Sequence, residues 1–461
     1  MTDISSLTSQ LVSQVLAKAI TPADQQRAAL HVLDWLSCVA GALPAAAAAP
    51  FRQLATEQSG DFTALWTSST SLEAALAFNA ALGNVLEMDD VHRSSILHPG
   101  PVVIPAALAM AQYTKASLPQ FLNAVLVGYE VSIRIGRAIG RSHYRYFHNT
   151  SSCAVFGAAM AAGYLLQLNP QQLVWALGNA GSRTGGLWQM RNEPVFTKQW
   201  HNAEAAKSGV SAARLAKAGL TGPAYILEGP QGLFAAMSQD AKPEAVLAAE
   251  RQWLAHHCSF KPWAACRHAH PAIDAVSCAL SAAGLNQLSA DAVQSVEIGC
   301  YQDTLTFCDK AAPYTEQQAK FSIQHAVAAR ILWGEPGLSH YQPDVLQLEG
   351  VSRLRQRIQL QLDPALEQAY PAHFGASCAL VLQDGRRFEV RLADTLGDPE
   401  RPLCTEQLLQ KASSLLRHGG VAAPQISALC QLLAQPESEL LAADTNPLFS
   451  LLEPPFSVQT L

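Results

Sequence analysis

From Glu87 to Gly100 the chain reads Glu-Met-Asp-Asp-Val-His-Arg-Ser-Ser-Ile-Leu-His-Pro-Gly, in surroundings rich in Ala and Leu. Asp89, Asp90, His92, Arg93 and His98 crowd this stretch. Histidine changes charge near neutral pH and moves protons. An adjacent aspartate can orient the ring or bind a hydroxyl. Such a cluster is either a hydrogen-bonded structural knot or the wall of a pocket. A pocket is favoured, because so many ionisable groups are costly to bury without a purpose.

Three more polar stretches join apolar runs: residues 143–153 with His148, 198–201 with Lys198, and 267–270 with Arg267 and His270. Loop residues held by a rigid scaffold commonly carry function. Lys198 and Arg267 can hold carboxylates, Arg267 bidentately. With His98, His148 and His270 as proton carriers, the kit suits removal of a proton next to a carboxylate. Loss of water, loss of carbon dioxide or return of the proton would follow. The plainer reading is an isolated histidine satisfied in the core, with Lys198 and Arg267 capping helices. A His/Asp metal site is also open, although no H-E-x-x-H occurs. The chain has no G-x-S-x-G elbow, Walker loop or G-x-G-x-x-G fingerprint, and its scattered cysteines mark no nucleophile.

The elements that position these residues are mostly helices. Thr21-Pro22-Ala23-Asp24 and Asn169-Pro170-Gln171-Gln172 are helix starts, with a cap, a proline at the first turn and a side chain that reaches back. Apolar helical runs are expected over residues 5–19, 21–39, from 71 into Asp89-Asp90, 102–114, 117–135, 155–166 and 203–218. Strands appear after residue 268: 293–300, the alternating 357–363, and a hairpin over 379–390 turning at Asp384-Gly385. A helix over 319–332 lies among them. Thr405 starts helices again, to Leu433, and the tail after Asp444 has three prolines and little periodicity. The expected fold is mainly α, with residues 1–267 and 401–461 as a large all-helical domain and 268–400 as a smaller inserted α+β unit.

The 461 residues are 49% hydrophobic but only 15% charged, which suggests that a large core or a subunit partner covers much surface. A net charge of -6 without a basic tract argues against nucleic acid. Ten cysteines with no C-x-x-C pair read as reduced thiols of a cytoplasmic protein, not as a disulfide scaffold, zinc knuckle or iron-sulfur site. Neither a signal peptide nor a membrane span is expected, because apolar runs stop well short of ~20 residues.

Many segments, in order along nearly the whole chain, resemble the MmgE/PrpD family. They are Met88-Asp89-Asp90-Val91-His92 with His98-Pro99-Gly100-Pro101, Gly128-Tyr129-Glu130 with Arg134, and Phe147-His148-Asn149-Thr150 with Phe156-Gly157-Ala158-Ala159. Lys198-Gln199-Trp200-His201 with Ala205-Ala206, Leu227-Glu228-Gly229, Lys261-Pro262 with Cys266-Arg267 and His270, and Gly397-Asp398-Pro399 continue the match. The family includes 2-methylcitrate dehydratases, cis-aconitate decarboxylases and iminodisuccinate epimerases. The resemblance implies an all-helical domain built from both chain ends, a smaller α+β lid, a homodimer, and chemistry on small di- or tricarboxylates without metal or organic cofactor. It places His98, His148, Lys198 and His270 at active-site positions, with Asp89 and Asp90 in the acidic segment of the same pocket. Lys198, Arg267, Glu87, His92 and His325 are the candidate substrate contacts. Glu87 and Val91 stand where the decarboxylase has Asp and Thr, and His325 stands for a tyrosine. These departures set the chain apart from cis-aconitate decarboxylases in particular. Arg183 and Arg191 are a further charge of this subgroup, or simply surface residues.

The leading expectation is a cofactor-independent lyase, with substrate carboxylates on Lys198 and Arg267 and the histidines moving protons. The alternatives are an epimerase of a dicarboxylate such as iminodisuccinate, a metal-dependent hydrolase, and a non-catalytic carboxylate-binding protein.

Overall fold

Helix starts and small residues set the frame. In the computed structural model, which describes residues 6–193, 195–435 and 446–453, Thr21 and Asp24 close both hydrogen bonds of a capping box at helix α1 (Pro22–Ala42), as Asn169 and Gln172 do at Pro170–Gly181. The chain divides into two compact units: residues up to Cys258 with those from Cys404 onward, and Ser259–Leu403. The second unit therefore takes in Ser259–Arg267, expected in the helical domain, because Phe260 and Gly397 pair through the backbone and Arg267 pairs with Asp398.

The first unit is helical. After α1 come α2 (Leu72–Val85), α3 (Gly100–Thr114), α4 (Leu118–Ala138), α5 (Asn149–Leu165) and α6 (Thr197–Lys217). Their apolar residues are buried almost throughout, each Leu or Val contributing about 1.5–3 kcal/mol. Helices α4 and α5 approach closely through glycine: a Cβ on Gly157 would lie 2.4 Å from the Gly128 carbonyl oxygen and closer still to Ser132 Oγ. Helix α7 (Thr405–His418) returns to pack on α1. There Lys411 Nζ pairs with Asp34 at 2.6 Å and donates to the Met88 carbonyl at 2.7 Å.

The second unit carries the sheet. Strands β1 (Val293–Cys300), β2 (Ile358–Leu362), β3 (Ala376–Leu382) and β4 (Arg387–Leu392) run in the order β2-β1-β3-β4. The β1–β2 pair is parallel and the others antiparallel. Gly385 takes the left-handed conformation, φ +86°, in the β3–β4 turn. The protein is thus mainly α with a smaller α+β region, and no single helix among the described residues is long and apolar enough to cross a membrane.

Some boundaries differ from expectation. Helix α5 starts at Asn149 rather than 155, because the His148 carbonyl already accepts from the Ser151 and Ser152 N–H groups. Lys198 to His201 form the first turn of α6 instead of a connector. The helix expected over 319–332 breaks at Phe321-Ser322, where the Ser322 hydroxyl caps Ile323–Trp333. Ala49–Thr56, with Pro50 in its first turn, is a helix with no counterpart in the expectations. In the tail, Asn446–Leu452 is helical; residues 436–445 and 454–461 lie outside the described residues.

Candidate active site

Helix α2 ends at Val85, and the chain turns through Glu87 at φ +57° to deliver Asp89 and Asp90. His98 sits just before α3. Its Nδ1 lies 2.9 Å from an Asp89 carboxylate oxygen and 2.8 Å from the Asp90 carbonyl oxygen. Both partners are acceptors, so Nδ1 carries a proton, and Nε2 is the nitrogen left to act as a base. The other Asp89 oxygen accepts from Asn84 Nδ2 at 2.7 Å, and the Thr150 hydroxyl accepts the His98 N–H at 3.0 Å.

Beside this pair, Lys198 Nζ lies 2.5 Å from Glu87 Oε1, both side chains more than nine-tenths buried. Lys198 stands in the first turn of α6, the end of a helix that disfavours a cation, and Glu87 compensates. His148 precedes α5; its N–H donates to the Gly186 carbonyl at 2.8 Å, and its ring rests on Trp188 at 4.5 Å. Burial holds the His148 ring well below its ordinary pKa, reinforced by Lys198, His201 and His98 and opposed by Asp89. One cluster in the first unit therefore joins Glu87, Asp89, His98, His148 and Lys198. It contains a neutral histidine, an oriented histidine and a cation held by a carboxylate.

Two expected residues turn elsewhere. The Asp90 carboxylate accepts from the Gly100 N–H at 3.0 Å and the Tyr129 hydroxyl at 2.8 Å, and meets His31 Nδ1 at 2.8 Å. The Asp90 carboxylate is thus engaged in a structural knot, while its carbonyl oxygen meets His98 in the cluster. A Cβ on Gly100 would stand 2.7 Å from its Oδ1. His92 is buried against the Ser95 hydroxyl at 2.8 Å. Burial, then the charges of Arg137, His257 and Arg93, lower its pKa well below the ordinary value, and Lys198 is not among these groups.

The second unit holds the other three. Arg267 pairs with Asp398 and lies 5.5 Å from the Phe374 ring centroid; its Nε and Nη1 are buried without a hydrogen-bond partner. His270 opens the helix His270–Ala282, with Nε2 3.1 Å from the Ala265 carbonyl oxygen and its ring 5.3 Å from Trp263. His325 donates from Nε2 to the His340 carbonyl at 2.8 Å and packs edge-on against Tyr341. Burial takes its pKa down to about 4, so the ring is a neutral core histidine, bonded through Nε2 and with Nδ1 buried without a hydrogen-bond partner among the described residues.

His201, in the same short stretch as Lys198, joins the cluster although no feature of the sequence alone singles it out. Its Nδ1 lies 3.4 Å from His148 Nδ1. The spacing from Lys198, nearly one helical turn, was the available signal once α6 is known to start at Thr197. Arg183 lines a neighbouring cavity, and Arg191 lies 5.7 Å from the Trp188 ring. Among the described residues, two triads of His, Cys, Asp or Glu bring ligand atoms within 4.8 Å of one another, His31/Asp90/Cys258 and His373/Asp394/Glu400. Neither contains His98, His148 or Asp89.

Comparison with known proteins agrees along most of the chain. Residues 7–246 match the MmgE/PrpD N-terminal domain and residues 263–432 the C-terminal domain. A cis-aconitate decarboxylase-like protein of Aspergillus oryzae is 26% identical over 402 residues, 80% of this chain and 82% of the relative. The cis-aconitate decarboxylase of Homo sapiens is 25% identical over 338 residues, covering 71% and 69%. That of Mus musculus is 25% identical over 346 residues, covering 72% and 69%.

Proposed function

The chain belongs to the MmgE/PrpD family, and from that premise we propose that it is a lyase, a dehydratase or decarboxylase of a small di- or tricarboxylate. The observation that carries this reading is the His98–Asp89 contact beside Lys198. It supplies a base of defined tautomer next to a fixed cation. Relatives named as cis-aconitate decarboxylases, at 25–26% identity, support the reaction class and leave the substrate to experiment.

A substrate carboxylate docks at Lys198. In a dehydration, His98 Nε2 takes the proton from the carbon next to that carboxylate. The electron pair closes to the alkene, and hydroxide leaves as water with a proton from His148. In a decarboxylation, the carbon–carbon bond breaks, carbon dioxide leaves, and the electron pair left on carbon takes a proton from His148 Nε2. In either case negative charge develops beside the Lys198 ammonium, in a buried setting where a fixed charge counts for more than in water. This chemistry calls for no metal or organic cofactor. Ten unbridged cysteines, of which only Cys404 is exposed, suit a reducing, cytoplasmic setting. We extend the reading to a homodimer, which the low share of charged residues, 15%, supports.

The test is proton NMR in deuterium oxide with a panel of di- and tricarboxylates, cis-aconitate and 2-methylcitrate among them, before and after dialysis against EDTA. A new alkene, read as a vinyl proton or, for 2-methylcitrate, as a methyl singlet on a double bond, or carbon dioxide release, with unchanged rate after EDTA, supports the reading. Exchange at an α-carbon with an unchanged skeleton would replace it with the epimerase. Activity lost on EDTA treatment and restored by metal would overturn it.

A further inference from the structure

His148 has almost no access to water, with 2% of its surface exposed. A group that gives or takes a proton at every turnover must recover its starting state, and here the route is on the page. His201 meets it Nδ1 to Nδ1 at 3.4 Å. His201 also lines a cavity of about 450 Å³ whose wall includes Ser151, Arg183, Leu187, Gln189 and Glu204. Arg183, Leu187 and Gln189 are exposed, so this cavity opens to solvent. We propose that His201 is a proton relay between the buried ring of His148 and the water of this cavity. The proposal rests on the reading of His148 as a proton carrier.

The contact admits one hydrogen, because two bare or two protonated Nδ1 atoms would repel. Burial, seconded by the Lys198 charge, lowers the pKa of both rings, so the pair is neutral at pH 7. One ring therefore carries its proton on Nδ1 and the other on Nε2. When His148 Nε2 gives its proton to substrate, the His201 Nδ1 proton moves to His148 Nδ1, and a water proton from the cavity is taken up on His201 Nε2. When His148 Nε2 takes a proton, the same hops run outward. In the dehydration above His148 only gives a proton, which leaves the two rings in exchanged tautomers. The proton that His98 took from carbon then returns through His148 Nε2 by the outward hops and restores both. The charged and titratable neighbours are Lys198, His98 and Asp89 around His148, Lys198 next to His201, and Arg183 and Glu204 in the cavity wall. The pair is held in place from both sides. Ser151 Oγ donates to the His201 carbonyl at 3.3 Å, and the His148 N–H donates to the Gly186 carbonyl at 2.8 Å.

Two measurements on His201→Gln and His201→Ala decide it. The first is ¹⁵N-histidine NMR of the full chain without substrate. It should show one Nδ1-protonated and one Nε2-protonated ring in the pair, with the His148 signals shifted in His201→Gln. Two Nε2-protonated rings would overturn the proposal. The second is turnover on whichever carboxylate of the panel the wild type converts. His201→Gln should lose at least tenfold in kcat with KM within twofold, and added imidazole should restore His201→Ala in a saturable way. Wild-type kcat in His201→Gln, or a deficit that imidazole leaves untouched in a variant with a wild-type melting curve, overturns it. Silence of the wild type on the whole panel counts against the lyase reading instead, and the tautomer spectrum then decides the relay alone.

Discussion

Lys198 and Glu87 meet at 2.5 Å across 111 residues of sequence, one from the first turn of α6 and the other from the turn that ends α2. Removing one member of a buried pair costs about 3–5 kcal/mol, because the remaining charge loses its partner in a dry setting. Glu87→Gln should therefore lower the urea midpoint measurably. Lys198→Met should fold and lose about 10²–10³ in kcat, the loss expected when one preorganised charge is taken from a developing anion. Wild-type kcat in Lys198→Met, on any substrate the wild type turns over, would remove Lys198 from the chemistry.

Asp89 and Asp90 are neighbours with opposite assignments, and the asparagine substitutions separate them. Asp89→Asn takes the carboxylate from His98 Nδ1 and weakens its tautomer, so kcat should fall about 10²–10⁴-fold with little change in melting temperature. Asp90→Asn disturbs the contacts with Gly100, Tyr129 and His31 together, and should cost about 3 kcal/mol or more of stability. Reversed outcomes, with Asp90→Asn stable but inactive, would return Asp90 to the site.

Why the sequence separated these two poorly is physical. The partners of Asp90 are His31 and Tyr129, 59 and 39 positions away in the chain (90 − 31 and 129 − 90), and no local pattern announces them. Asp89 keeps a partner within reach of local reading, since His98 lies in the same stretch. Elements with local signatures were legible: the capping boxes at Thr21 and Asn169, the turn at Gly385, and the alternating strand Ile358–Leu362. The starts of α5 and α6 were not. His148 and Phe196 precede them without a side-chain cap, so the polar run looked like loop. His201 was missed for the same reason, because its place beside His148 depends on the true start of α6.

Helix α7 reaches the site segment from behind. Lys411 donates to the Met88 carbonyl and pairs with Asp34, whose carboxyl is lifted by burial to about 6. Lys411→Met should leave Asp34 protonated in the fold and free the Met88 carbonyl, lowering stability at pH 7 by about 3 kcal/mol. The double variant Lys411→Met/Asp34→Asn should recover part of that loss. If the double variant is no more stable than Lys411→Met, the pair is not the source of the cost.

Acid should weaken the fold from just below neutrality. His143 and His325 are fully buried, and burial takes both pKa values from 6.5 down to about 4. The unfolded rings take up protons as pH falls through 6.5, while the folded rings stay neutral until about 4. The stabilisation these rings give is thus present above pH 6.5 and lost progressively down to pH 4, at about 1.4 kcal/mol per group per pH unit. Burial keeps the folded rings neutral, against the carbonyl contacts, which favour the charged form. His143 bonds the Met237 carbonyl at 3.0 Å and the Ser152 hydroxyl at 2.7 Å, and His325 bonds the His340 carbonyl. Urea midpoints taken between pH 7.5 and 4.5 should fall steeply below 6.5, and His143→Gln or His325→Gln should each flatten that slope. A slope that neither variant changes would assign the acid lability to other groups, with the buried His148 and His92 next in line.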